Sequence, residues 1–365
     1  TGLYISINGG KSWETFQLNL PIVPITDLTI RNNNLIASTQ GRSFWILDDL
    51  TMIHQYKPND MKKDFHLFTP RTTFRTSGGN EESKLVGQNP PTGVVLQYHI
   101  AHEIEKESIV KMEFLDDNEN IIRTITNQKS KSAKTFGGSY NPVKIPAKKG
   151  MNRFVWNFRI DDIKLVPDVS FFGGYSGYRV GPGQYSVRLT MGEESTTQSF
   201  KIQQDPRIDI RNRDQNEHQS LMADLYSQIN DLHSSIVKAR SIRSQIQKMN
   251  ERLKEKDAVQ DLIQSGESAI EAIDNWEGNV VQTKMETFQD VVNFLNRLNA
   301  HMLNLLSTID GSDPPLTQGQ RQRYADLSEE WESYKKKLNQ IMNNEISEFN
   351  RLYKKEDLPA VIIPE

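Results

Sequence analysis

At Asp205-Pro206-Arg207 the spacing of apolar residues changes, and that change divides the chain into two kinds of structure. Downstream, Leu221, Leu225, Ile229, Leu232, Ile236, Ala239, Ile242, Ile246, Met249 and Leu253 step by three or four. A period near 3.5 predicts a long amphipathic helix with a coiled-coil-like seam. Phe288, Val291, Leu295, Leu298, Met302, Leu305 and Ile309 predict a second helix. Tyr324, Leu327, Trp331, Tyr334, Leu338, Ile341, Phe349 and Leu352 predict a third, and a shorter helix is expected over 258–276. Gly311-Ser312-Asp313-Pro314-Pro315 breaks the chain before the last of them. Residues 205–365 are therefore expected to form an antiparallel helical bundle.

Upstream the apolar period is two. Residues 1–66 contain five short strand patterns: LYISI, SWETFQL, ITDLTI, NLIAST and SFWILD. Gly, Asn and Pro separate them evenly, as in an antiparallel meander. Residues 67–91 carry FTPRTTFR, SGGNEES and NPPTG and are expected to be a connector. Residues 92–204 resume the strands with GVVLQYHI, SIVKMEFLD, NIIRTIT, MNRFVWNFRI, GQYSVRLTM and TTQSFKIQQ. That number of strands over this length fits an Ig-like or fibronectin-like sandwich, with Phe154, Trp156, Tyr185, Val187 and Leu189 as core candidates. The expected fold class is mainly β plus α.

A chain of 365 residues has room for two or three domains. Its 44 basic and 47 acidic residues leave a net charge of −3, which gives no electrostatic case for nucleic acid. It has no cysteine, which excludes disulfides, thiolate zinc sites and a cysteine nucleophile. No apolar run is long enough to span a membrane. No HExxH, P-loop, GxSxG or dinucleotide fingerprint is present.

The stretch Ser6-Ile-Asn-Gly-Gly-Lys-Ser-Trp13 resembles the Asp-box, or BNR repeat, of sialidase-like and sortilin-like β-propellers, with Asn8 in place of the Asp and Ser12 in place of the Thr. The run STQGRSFWILDD at 38–49 resembles the end of the last blade in large exported bacterial proteins of that kind, often labelled glycosyl hydrolases. In those proteins an Ig-like domain with G-x-N-R-F-x-W follows, matched here by Gly150 to Trp156, then a P-x-G-x-Y-x-V-x-L strand, matched by Pro182 to Leu189. A helical region comes last. The resemblance thus covers essentially the whole chain. It implies that residues 1–66 are a terminal β-propeller blade. The remaining Asp boxes would sit in upstream blades, in this chain or another. The chain opens inside a strand, at Thr1-Gly2-Leu3-Tyr4, as a processed piece or a fragment would. It also implies export to the periplasm or cell surface of a bacterium.

The same resemblance gives Ser6, Asn8, Gly10 and Trp13 a structural role in a hairpin. A sialidase-type site draws an arginine cluster, a Tyr nucleophile with its Glu and a further acid from several blades, so no catalytic residue is assigned to this chain. The expected function is a non-catalytic interaction and scaffold part that binds a protein or glycan partner. The alternative is an accessory part of a glycoside-hydrolase-like enzyme whose active site lies upstream. Phe171, Phe172, Tyr175 and Tyr178, spaced by glycines, form a candidate binding loop, because rings bury area at low entropy cost. The competing reading has Phe171 and Phe172 folding back to cover the sandwich or the blade. His99 and His102, three apart on a strand, point to opposite faces and cannot chelate a metal unless the strand ends between them, so they read first as surface histidines. The acidic run Asp116, Asp117, Asn118, Glu119 and Asn120 could hold calcium, but reads first as a hairpin turn. No cofactor is expected.

Overall fold

The computed structural model describes residues 2–76, 87–130, 132–135, 138–167, 169, 174–254, 259–284, 287 and 289–356. It mixes β and α structure in two units. The first comprises Thr1–Asn127, Lys144–Phe158 and Pro182–Asp205, and the second Gln128–Val143, Arg159–Gly181 and Pro206–Glu365.

The first unit holds most of the strands. β1 (Tyr4–Ile5) and β2 (Glu14–Thr15) pair as a short antiparallel ribbon. β3 (Ile25–Arg31), β4 (Asn34–Thr39) and β5 (Phe44–Leu47) form an antiparallel sheet. Asn32 and Asn33, between β3 and β4, take φ of 50° and 61°. That is the conformation a two-residue hairpin matched to strand twist requires, and Asn tolerates it well. A helical turn, α1 (Thr51–Gln55), leads to β6 (Phe65–Leu67), β7 (Thr73–Arg75), β8 (Val94–Ile100), β9 (Val110–Leu115) and β10 (Ile121–Thr126). β11 (Ala133–Thr135) and β12 (Gly138–Tyr140) belong to the second unit. β13 (Gly150–Trp156), β14 (Gly183–Met191) and β15 (Glu194–Gln204) complete the first.

These strands build a five-stranded sheet, β10-β9-β14-β15-β7, and a three-stranded sheet, β13-β8-β6. Alternation decides which side chains meet between them. β8 buries Val94, Leu96, Tyr98 and Ile100 and turns Val95, Gln97 and His99 outward. β13 buries Asn152, Phe154 and Trp156. Trp156 stacks on Phe114 of β9, with ring centroids 4.2 Å apart, and meets Tyr185 of β14 and Phe200 of β15 edge-on. The two sheets therefore pack face to face around one tryptophan.

Part of the expected connector at 67–91 is built into these sheets. β7 runs parallel to β15, and β6, which pairs with β8, takes Leu67 from the expected connector and Phe65 and His66 from the residues expected in the blade. Gln55 bonds both backbone groups of Thr69, at 2.8 and 2.9 Å, and the Thr69 hydroxyl donates to Gln198 at 2.6 Å. Three-residue strands between prolines carry too short a pattern to stand out from a loop.

The second unit is helical. Its elements are α2 (Asn212–Leu253), α3 (Gln260–Val280), α4 (Asp290–Asn293), α5 (Leu298–Asp310), α6 (Gln318–Ile341), a π-helical turn (Met342–Ile346) and α7 (Ser347–Lys355). α2 buries Leu221, Leu225, Ile229, Leu232, Ile236, Ala239, Ile246 and Leu253, the seam its spacing predicts. α6 opens on a capping box: Gln320 N donates to Thr317 Oγ1 at 3.1 Å, and Thr317 N donates to Gln320 Oε1 at 2.8 Å. α3 reaches Val280, beyond the expected 258–276. The helix expected through Phe288, Val291 and Leu295 into Ile309 is interrupted between α4 and α5. Leu295 is 76 % exposed, so the segment before Leu298 gains no burial to hold a continuous helix.

Residues 159–181, expected as part of a sandwich ending at 204, join this helical unit instead. Ile163, Val166, Val169 and Tyr175 lie in one core with Leu225, Ile229, Ile236, Met302 and Trp331. His233 of α2 anchors the segment, its Nδ1 2.6 Å from the Lys164 carbonyl and its Nε2 2.7 Å from the Asn299 side chain. A neutral imidazole has one N–H, which the Lys164 carbonyl takes. The Asn299 amide then serves His233 best with its NH2 turned toward Nε2, and that nitrogen otherwise has no partner.

Burial holds the His233 pKa below the ordinary histidine value, against smaller opposing effects of its bonds to Asn299 and Lys164. A base depressed in the folded state contributes its full stabilisation above its unfolded pKa, about 6.5, and loses it as pH falls below that toward the folded value. Chemical denaturation of the wild type and His233→Gln should therefore show a stability difference that is flat above about pH 6.5 and narrows on acidification. A gap that stays constant down to pH 5 would refute a neutral, buried His233.

Candidate interaction surface

The Asp-box-like turn is organised by one side chain. Asn8 Oδ1 accepts from Ser12 N at 2.9 Å and from Ser6 Oγ at 3.1 Å, and Asn8 Nδ2 donates to Ser12 Oγ at 2.7 Å. Gly10 N donates to Ser6 Oγ at 2.8 Å. Gly9 and Gly10 have φ of 71° and 86°, which glycine adopts without steric cost. Both departures from the Asp-box pattern are thus used: Asn8 keeps the acceptor, and Ser12 supplies a hydroxyl that its amide reaches. Trp13 stands 63 % exposed beside this turn. Asn8 and Gly10 are exposed as well and Ser6 is half-buried, and their bonds stay within the turn.

The β3-β4-β5 sheet next in the chain has two apolar faces. Pairing sets Leu28 across from Ala37 and Trp45, and Ile30 across from Leu35 and Leu47, on one face. Thr29, Ile36 and Ile46 align on the other, with Phe44 opposite Ser38 beside them. Leu3, Phe16, Leu18 and Leu20 line a small cavity of about 50 Å³ against the first face, with Leu35, Ala37 and Trp45. Leu28 and Ile30 on that face remain 46 % and 54 % exposed, and Phe44 and Ile46 on the other are 73 % and 59 % exposed. A sheet with one face on a core and one in water alternates apolar and polar residues; β3 does so, but β4 and β5 do not.

The remaining candidate residues lie elsewhere. Phe171 and Phe172 fall outside the described residues. Tyr175 is fully buried, its hydroxyl donating to the Val166 carbonyl at 3.2 Å, and Tyr178 is half-buried against the Tyr226 ring. Burial pushes both phenols up to about 12. Tyr175 is therefore core, and Tyr178 packs against the same core. Both described rings lie with the helical core, and the competing reading, which had Phe171 and Phe172 covering the sandwich or the blade, falls on residues outside those described. β8 ends at Ile100, between His99 and His102, and His102 turns toward Asp64, with 3.6 Å between Nε2 and Oδ1. In the acidic run, Asp116 accepts the amides of Asn118 and Asn120 at 2.9 and 2.8 Å and the Asn120 side chain at 3.0 Å. Those bonds make it a hairpin turn.

Two further concavities sit in the helical unit. A groove of about 330 Å³ between α3 and α6 is lined by Asn275, Trp276, Tyr334, Gln340 and Glu345 among others, and one of about 220 Å³ is lined by Arg159, Tyr178 and Asp310 among others. Each has one carboxylate among its lining residues, and the Asp310 carboxylate is held by Arg159 and Arg179. Hydrolysis of a glycosidic bond in the usual manner needs two carboxyl groups facing one site, which neither offers. No helix among the described residues is long and apolar enough to cross a membrane.

No family model matches the chain, and no curated protein matches it. One solved structure, pT26-6p, is similar over 76 % of this chain and 49 % of its own, at 10 % identity and a TM-score of 0.12. The chain spans about half the length of that structure, and a likeness at that TM-score carries no argument. The resemblance to Asp-box propellers therefore rests on the residues quoted for it.

Proposed function

We propose that the chain is a non-catalytic interaction and scaffold part of an exported propeller-type protein. In this reading the strands before β6 act as one blade, the two packed sheets as an Ig-like domain, and the helices as a bundle. The observation that carries the proposal is the β3-β4-β5 sheet with apolar side chains exposed on both faces. A sheet in the middle of a stack of sheets needs two apolar faces, and a patch of this kind on a soluble protein marks a contact. The partner it fits is another β-sheet face, from an upstream blade or a second polypeptide.

The test is a photo-crosslinking amino acid placed at Ile30 or at Phe44, one on each face, in the producing cell. Adducts from both positions to strand-forming peptide, with little from the exposed Lys336 as control, are expected. If neither position crosslinks more than Lys336, the sheet has no partner and the reading fails.

A further inference from the structure

Three side chains form a row on the outward face of the β13-β8-β6 sheet. His66 of β6 lies directly across from His99 of β8, and His99 directly across from Met151 of β13. Their strand neighbours Phe65, Leu67, Tyr98, Ile100 and Asn152 are buried, so alternation sets all three on the opposite face. Residues directly opposed on antiparallel strands hold their Cβ atoms about 4.5–5.5 Å apart. His66 and Met151 thus flank His99 from either side, within side-chain reach of a point above the middle strand.

His99 itself is unusual. Its ring is half-buried, and its Nδ1 is enclosed with no hydrogen-bond partner. Buried polar atoms are ordinarily paired, so an orphaned ring nitrogen calls for an explanation. His66 packs edge-on against Phe68 at 4.7 Å. Burial lowers its pKa below the ordinary histidine value; Lys63, His99 and Lys57 act in the same direction, and Asp60 opposes them. Met151 is 46 % exposed.

We propose that His66, His99 and Met151 bind a single copper ion as Cu(I). Two imidazole nitrogens and a thioether sulfur are a soft, neutral donor set. Thioether selects Cu(I), whereas structural zinc sites are built from thiolate and imidazole, and this chain has no cysteine. The surroundings favour a single positive charge over two. Lys57 and Lys63 act on His66, and Arg153 sits two residues beyond Met151 on the same face. Asp60, the carboxylate acting on His66, is paired with Lys63 at 2.8 Å. This proposal is independent of the propeller reading, because it uses a different sheet and different residues.

The experiment is an anaerobic titration of the tag-free full chain with Cu(I) in competition with a chromophoric Cu(I) chelator, followed by X-ray absorption. One Cu(I) per chain is expected, with two nitrogen scatterers and one sulfur scatterer. His99→Gln should weaken binding at least tenfold. Met151→Leu, a volume-conserving change at a half-exposed position, should do the same while leaving the circular dichroism spectrum unchanged. It also keeps the test open should His99→Gln fail to fold. The proposal is overturned if the chain yields its Cu(I) to the chelator. It is equally overturned if sulfur is missing from the copper shell, or if folded Met151→Leu binds as tightly as the wild type.

Discussion

Trp156→Ala should cost the β unit about 3–5 kcal/mol, the range for truncating a large buried aromatic that leaves a cavity. Trp156 is fully buried, stacks on Phe114, and touches Tyr185 and Phe200. Phe114, Tyr185 and Phe200 belong to the five-stranded sheet and Trp156 to the three-stranded one, so its loss removes the contact that holds the two sheets face to face. The backbone groups of β13 pair with β8 over the whole strand, which keeps the ladder from collapsing to fill the space. Amide hydrogen exchange is the measurement of choice. Amides of β8, β9, β13 and β14 should lose protection together, while those of α2 keep theirs. Protection in the four strands within about 1 kcal/mol of wild type would show that the sheets are held together elsewhere.

Asp310→Ala should cost the helical unit about 2–3 kcal/mol. Asp310, the last residue of α5, is buried and accepts from the Arg179 backbone N–H at 2.7 Å and from Arg159 Nη2 at 3.0 Å. It is also within 3.3 Å of Arg179 Nε. Removing one partner of a buried ion pair typically costs about 3–5 kcal/mol, because the other is left uncompensated. Here the orphaned guanidiniums are 28 % and 21 % exposed and can recover some hydration, which places the cost below that range. The loss should be local. Exchange at Ile160 and Ile163, whose amides bond Tyr178 and Tyr175 at 3.1 and 2.6 Å, should accelerate before that of α2. Asp310→Asn, which keeps an acceptor for the Arg179 amide, should cost less than Asp310→Ala. Equal costs would mean that the charge contributes nothing there.

Periodicity made much of the chain legible. The strands around Trp156 alternate cleanly, and the seams of α2 and α6 repeat over many turns, so local pattern and buried face agree. Legibility fails where a residue's place is set by something distant in sequence. Tyr175 reads as an exposed aromatic between glycines because the helices that bury it begin beyond Asp205. Leu295 reads as a seam residue because spacing alone does not reveal that nothing packs on it. The Asp-box-like turn was visible because all its bonds are local. The row of His66, His99 and Met151 was invisible because only strand pairing brings those positions together. The exposed faces of the β3-β4-β5 sheet carried a partial signal: Leu28 and Ile30 alternate with polar residues, while Phe44 through Leu47 is apolar throughout.

The chain leaves and re-enters each unit before either is finished in sequence. Residues 128–143 and 159–181 are made long before the helices they pack with. During synthesis, Ile163, Val166 and Tyr175 emerge with no helix to receive them and wait in solvent until α2 through α6 follow. The β unit can close as soon as Asp205 is out, whereas the helical unit must gather segments from both sides of that point. A truncated product ending near residue 205 would carry a folded half with two sticky excursions, a natural client for chaperones and proteases. A helical fragment started at Pro206 would lack Tyr175 and the other residues of 159–181 that its own core buries.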